Sequence, residues 1–138
     1  MINQKITIEQ LNAYSEGTLV SHLGIVFTEI GPDYIKAKMP VGEHTRQPQG
    51  VLHGGASASL AETLGSSGSA CLLDLERHYP VGVELNANHL RPVTSGYVYG
   101  TATWLHLGRR THVWDIKIVD EAGKLVCASR LTLMIVDA

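Results

Sequence analysis

Apolar residues recur at period two in two early segments of this chain, a long stretch then breaks the pattern, and strand-like segments resume beyond it. Leu23, Ile25 and Phe27 alternate within Ser21 to Ile30, and Ile35, Ala37 and Met39 repeat the pattern from Tyr34 to Val41. Both segments read as strands, and Gly31-Pro32-Asp33 between them reads as the turn of a hairpin. Four further strand-like segments follow, over Val81 to Leu90, Tyr97 to Leu105, His112 to Val119 and Leu125 to Val136. Their short, turn-rich links favour antiparallel neighbours, because a parallel pair needs a crossover of about a dozen residues or more. Near the start, Thr7 to Asn12 reads as a short helix, with Thr7 and Gln10 spaced as a capping box. Between the two sets of strands, a polar loop from Gly42 to Leu52 leads into a helix from about Gly55 to Leu73.

That central helix is unusually bland. From Ser57 to Leu73 it is built of Ala, Ser, Gly, Leu, Thr and Cys, with Glu62 as its only charge. A helix lacking a charged face becomes buried, and small residues let a sheet approach it closely. The expected fold is therefore α+β, a curved antiparallel sheet wrapped around one long central helix. No repeat or linker divides the chain, so residues 1–138 read as a single domain. One helix cannot cover both faces of six strands, so a face or an edge is left for a partner, and a homo-oligomer is expected.

Composition narrows the function classes. With 138 residues and a net charge of −2, the chain has no electrostatic footprint for nucleic acid or an anionic membrane. No apolar run approaches the roughly 20 residues that span a bilayer. Met1 to Gly17 carries Lys5, Glu9 and Glu16 and lacks the apolar core of a signal peptide, so a cytoplasmic location is expected. Cys71 and Cys127 read as reduced, small core residues.

The candidate chemistry gathers around the start of the central helix. Gly54 and Gly55 stand where the first helical N–H groups lack intrahelical acceptors and the helix dipole is positive. Without a Cβ, such a terminus admits an anion, or a carbonyl oxygen becoming one. Burying the carboxylate of Glu62 is costly without partners, which marks it as a candidate catalytic group. Yet eight residues separate Gly54 from Glu62, about 12 Å along one helix. If both act on one carbonyl carbon, they come from two chains. Ser66, four residues beyond Glu62, shares its helix face.

Two other chemistries are disfavoured. His53-Gly54-Gly55 is similar to the oxyanion segment of lipases, but the chain has no G-x-S-x-G elbow. The seven histidines form no H-E-x-x-H or Cys/His cluster, so no metal is expected.

Gln47-Pro48-Gln49-Gly50-Val51-Leu52-His53-Gly54-Gly55-Ala56 through Glu62 resembles the hotdog-fold acyl-CoA thioesterases. Within that family it looks like the branch of 4-hydroxybenzoyl-CoA, 1,4-dihydroxy-2-naphthoyl-CoA and enterobactin-proofreading thioesterases. Val81 to Pro92 and Leu105-His106-Leu107-Gly108-Arg109 extend it over nearly the whole chain. The resemblance implies a hotdog fold, a homodimer or dimer of dimers, and hydrolysis of an acyl-CoA or acyl-carrier thioester with an aromatic acyl group. Coenzyme A would be part of the substrate and no separate cofactor is implied. By position, Glu62 would be nucleophile or general base and the Gly54 N–H would polarise the carbonyl. Gln47 and His53 would orient the thioester and the helix start, and Ser66 would position water or the carboxylate. His89, with Gly55 and Ser67, would line the substrate site. Arg91, His106, Gly108, Arg109 and Arg110 are candidates for the nucleotide and pantetheine end, although each arginine also reads as a solvated turn charge. Gln49 departs from the pattern, since close relatives carry Phe there. A hotdog dehydratase and a non-enzymatic acyl-thioester-binding module remain as alternatives.

Overall fold

A computed structural model describes residue 2 and residues 5–138. The elements run α1 (Ile8–Ser15), α2 (Leu19–His22), β1 (Val26–Ile30), β2 (Tyr34–Pro40), α3 (Gly54–Ala70), β3 (His78–His89), β4 (Tyr97–Leu107), β5 (Thr111–Val119) and β6 (Leu125–Asp137). The strands form one antiparallel sheet in the order β1-β2-β4-β5-β6-β3, and α3 packs against β2 through β6. This is the expected α+β arrangement, a six-stranded antiparallel sheet with one long helix packed against it.

Small residues on α3 account for the close packing. Ala56, Ser57, Leu60, Ala61, Leu64, Gly65, Gly68 and Ser69 are its buried face. A Cβ on Gly68 would stand 2.6 Å from the Trp114 ring, and one on Gly65 would stand 2.5 Å from Leu131. Around them Ile35, Met39, Ile116, Ile118, Leu131 and Leu133 are fully or almost fully enclosed. Cys71 and Cys127 are both buried, and burial pushes the Cys71 thiol up to about 11.

Two sequence expectations need correction. The segment Ser21 to Ile30 is a strand only from Val26 onward. Thr18 caps a helical turn instead, its Oγ1 accepting from the Val20 N–H, and Gly24 ends that turn at φ +75°. Leu23, Ile25 and Phe27 are all buried, so the period-two signal marked core positions without marking backbone type. The second correction concerns α3. It starts at Gly54 and ends at Ala70, and it is buried on one side only, with Glu62 exposed and Ala58, Ser59, Thr63, Ser66 and Ser67 half-buried. The capping box at α1 is as expected: Thr7 and Gln10 exchange both bonds, at 3.1 and 2.8 Å.

Two sides of this chain lack cover. β3 is a sheet edge, with one side unpaired and Tyr79, Val81 and Val83 exposed on it. An apolar edge strand is a surface that proteins pair or cover. The half-buried face of α3 adjoins it through the β3 contacts.

Candidate active site

The approach to α3 is held by a chain of backbone bonds. Leu52 N–H donates to the Val93 carbonyl at 2.8 Å, and His53 N–H to the Thr45 carbonyl at 2.8 Å. Gln47 N–H reaches Val51 at 2.9 Å, and Gly50 N–H returns to Gln47 at 2.9 Å with φ +89° at Gly50. Gln49 N–H donates to Gln47 Oε1, which leaves the amide NH2 as the remaining donor of Gln47. His53 is the N-cap of α3, its Nδ1 accepting from the Gly55 N–H at 2.7 Å.

That cap separates the two glycines. The Gly55 amide is already engaged by His53, so the expectation that both glycines offer open donors is corrected. Gly54 N–H, the first amide of α3, has no acceptor among the described residues. A cleft of about 350 Å³ opens in front of it, lined by Gln47, Gly54, Ser57, His89 and Arg91 among others. The His89 ring closes on Gly54 from β3: a Cβ there would lie 2.8 Å from His89 Nε2. Glycine at 54 is therefore set by the approach of a neighbouring side chain.

Glu62 stands elsewhere, on a second cavity of about 270 Å³ lined by Leu19, Val20, Leu23, Ser59, Thr63 and Leu85 among others. Its carboxylate is exposed in the single chain, contrary to the burial expected of it. Partial desolvation still raises its pKa above the ordinary carboxylate value. Within one chain, then, the amide donor and the acid occupy different cavities, as the helix rise requires.

Other sequence candidates fall outside both cavities. Ser66 and Ser67 are half-buried on α3, with Ser66 one turn beyond Glu62. His106 stands near the end of β4, and Gly108, Arg109 and Arg110 form the β4–β5 turn, closed by Gly108 N–H donating to the Thr111 carbonyl at 2.8 Å. Arg110 faces Asp137 at 3.8 Å. Arg91 alone of the three arginines lines the cleft. Among the described residues, no three His, Cys, Asp or Glu side chains converge as a metal site would require. The apolar wall beside Glu62, contributed by Leu19, Val20 and Leu23, escaped sequence reading, and the Thr18 cap was its available signal. Ser57, buried at the cleft, was likewise missed.

An antiparallel sheet packed on one long small-residue helix is the architecture of a hotdog-fold thioesterase. The chain belongs to the Thioesterase superfamily, which matches residues 49–127. It is similar to a thioesterase from Haemophilus influenzae at 48% identity, covering 99% of this chain and 94% of the other with a TM-score of 0.95. A mutant thioesterase from Pseudomonas aeruginosa superposes with a TM-score of 0.97 at 45% identity, covering 99% of each chain. A Pasteurella multocida protein bearing an esterase name is 49% identical over 132 residues, 96% of this chain and 94% of its own length. The protein is thus a thioester hydrolase acting on acyl thioesters.

Proposed function

We propose that this enzyme hydrolyses acyl-CoA or acyl-carrier thioesters with aromatic acyl groups of the hydroxybenzoyl or dihydroxynaphthoyl type, at a site shared between two chains. The acyl preference rests on the motif running from Gln47 to Glu62. One observation carries the two-chain reading: Gly54 and Glu62 open onto different cavities, and both cavities lie beside β3, the uncovered edge.

In this mechanism the Gly54 N–H of one subunit donates to the thioester carbonyl oxygen and holds the charge that develops there. Gln47 and His89 stand around the same cleft and orient the thioester. Glu62 of the other subunit acts on the carbonyl carbon. As general base it takes a proton from water while the water oxygen bonds to carbon. The tetrahedral intermediate then expels the thiolate, which takes the proton back. As nucleophile its oxygen bonds to carbon first and expels the thiolate, leaving an anhydride that water cleaves. Both routes use one carboxylate and one amide donor, and neither needs a further cofactor. Arg91 at the cleft, with His106 at the end of β4 and Gly108, Arg109 and Arg110 on the β4–β5 turn, is assigned to the CoA end.

Subunit mixing tests the shared site. Glu62→Ala and Gly54→Val are each expected to lose at least about 10²-fold in kcat on hydroxybenzoyl-CoA. Unfolded together and refolded at equal concentration, they should regain about a quarter of wild-type activity, because half the two-fold dimers then carry one intact site of two. No recovery, with dimers formed, sinks the two-chain reading.

A further inference from the structure

The Glu62 carboxylate rests on the backbone of Gly82 in β3. A Cβ built on Gly82 would lie 2.7 Å from Glu62 Oε2 and 3.1 Å from both Cδ and Oε1. Gly82 is not among the glycines with positive φ, so no left-handed backbone calls for it. Glycine also weakens a strand interior. Neither turn chemistry nor strand propensity accounts for this residue, whereas the space occupied by the carboxylate does.

The strand is shaped to bring Gly82 to that place. The β3–β6 register runs Leu85 with Leu131, Glu84 with Thr132 and Gly82 with Leu133, which leaves Val83 as the extra residue of a β-bulge. C-terminal to the bulge, Leu85 lines the Glu62 cavity and His89 closes on Gly54. Unbroken alternation back from those residues would set Val83 and Val81 towards α3. The bulge reverses the alternation, so Gly82 turns towards α3 opposite buried Leu133, and Val83 is exposed.

We propose that Gly82, turned towards α3 by the bulge at Val83, is a positioning residue whose absent side chain is the seat of the Glu62 carboxylate. This rests on Glu62 being the acid that acts on the thioester, as read above. The clash in Gly82→Ala falls on the end of a flexible side chain, so the carboxylate moves while the strand stays.

Gly82→Ala is expected to lower kcat at least about tenfold with KM within about twofold, since a displacement near 1 Å at a reacting group can cost about 10²-fold. Glu62→Asp, shorter by one methylene, should lower kcat in the wild-type background but restore part of it in the Gly82→Ala background. If Gly82→Ala folds poorly, the same second substitution should also restore its Tm. A Gly82→Ala enzyme with normal kcat, or losses that simply multiply in the double variant, overturns the seat. If Glu62→Ala itself keeps normal kcat, the role of Glu62 falls and the seat with it, which separates that failure from one confined to Gly82.

Discussion

The two ends of α3 treat their polar groups in opposite ways. Towards the C-terminal end, Ser69 Oγ accepts from Trp114 Nε1 at 2.8 Å and lies 2.8 Å from His112 Nδ1, all three residues buried. The Ser69 hydroxyl, with one donor proton and two acceptor lone pairs, thus bridges the indole N–H and the imidazole ring. Desolvation, aided by the nearby His106 ring, lowers the His112 pKa, while a backbone hydrogen bond with Gly108 acts in the other sense. Towards the N-terminal end, the Gly54 amide has no acceptor among the described residues, and the Gln47 and His89 side chains stand around an open cleft. The same helix therefore ends in a closed polar cluster that holds the sheet and begins with open groups that face substrate. A buried donor without a partner is destabilising, so open groups are tolerated where solvent or a ligand reaches them.

This contrast can be broken from either side. The largest effect is expected on the reactive face, where Glu62→Ala should lower kcat by about 10²–10⁴-fold, the range of a lost general base. Its Tm should stay within a few degrees, because no side chain among the described residues bonds to the carboxylate. A large fall in Tm with kcat retained would make Glu62 a structural residue. Next in size, Ser69→Ala should destabilise the fold by about 1–3 kcal/mol for each buried polar atom left unpartnered, read by urea unfolding. Its kcat should change little. Ser59, whose hydroxyl only returns to the Gly55 carbonyl at 2.9 Å, serves as the comparison. Ser59→Ala should alter stability by no more than about 0.5 kcal/mol. Equal losses at the two serines would erase the distinction between the ends.

The smallest effect is a pH shift. Glu62 must be ionised to act as base or nucleophile, and desolvation raises its pKa. The acid limb of kcat/KM is then expected above the ordinary carboxylate value of about 4.3, with activity lost as pH falls through it. A limb at or below that value would show a fully solvated acid and weaken the case for its seat against β3.

Much of the fold was legible because it depends on short-range chemistry. Thr7 and Gln10 announced the α1 cap, and strand-like segments bounded by turn residues located five of the six strands to within a few residues. The exception, Ser21 to Ile30, shows the limit: Leu23 and Ile25 point inward from a turn as well as they would from a strand. The candidate site was legible only as residue types. Gly54, Gln47 and His89 do meet at one cleft, whereas His106 at the end of β4 and Arg109 and Arg110 on the following turn lie outside it.

What local sequence determined here was the order of elements, the small-residue face of α3 and the separation of Gly54 from Glu62, since helix rise is the same in any context. What only the tertiary structure decided was which donors stay open and what the acid rests on. The His53 ring takes the Gly55 amide, Arg110 turns to Asp137, and a one-residue bulge sets Gly82 beneath Glu62. Each of these depends on which groups from distant segments come within bonding or contact distance, and spacing along a chain does not encode that.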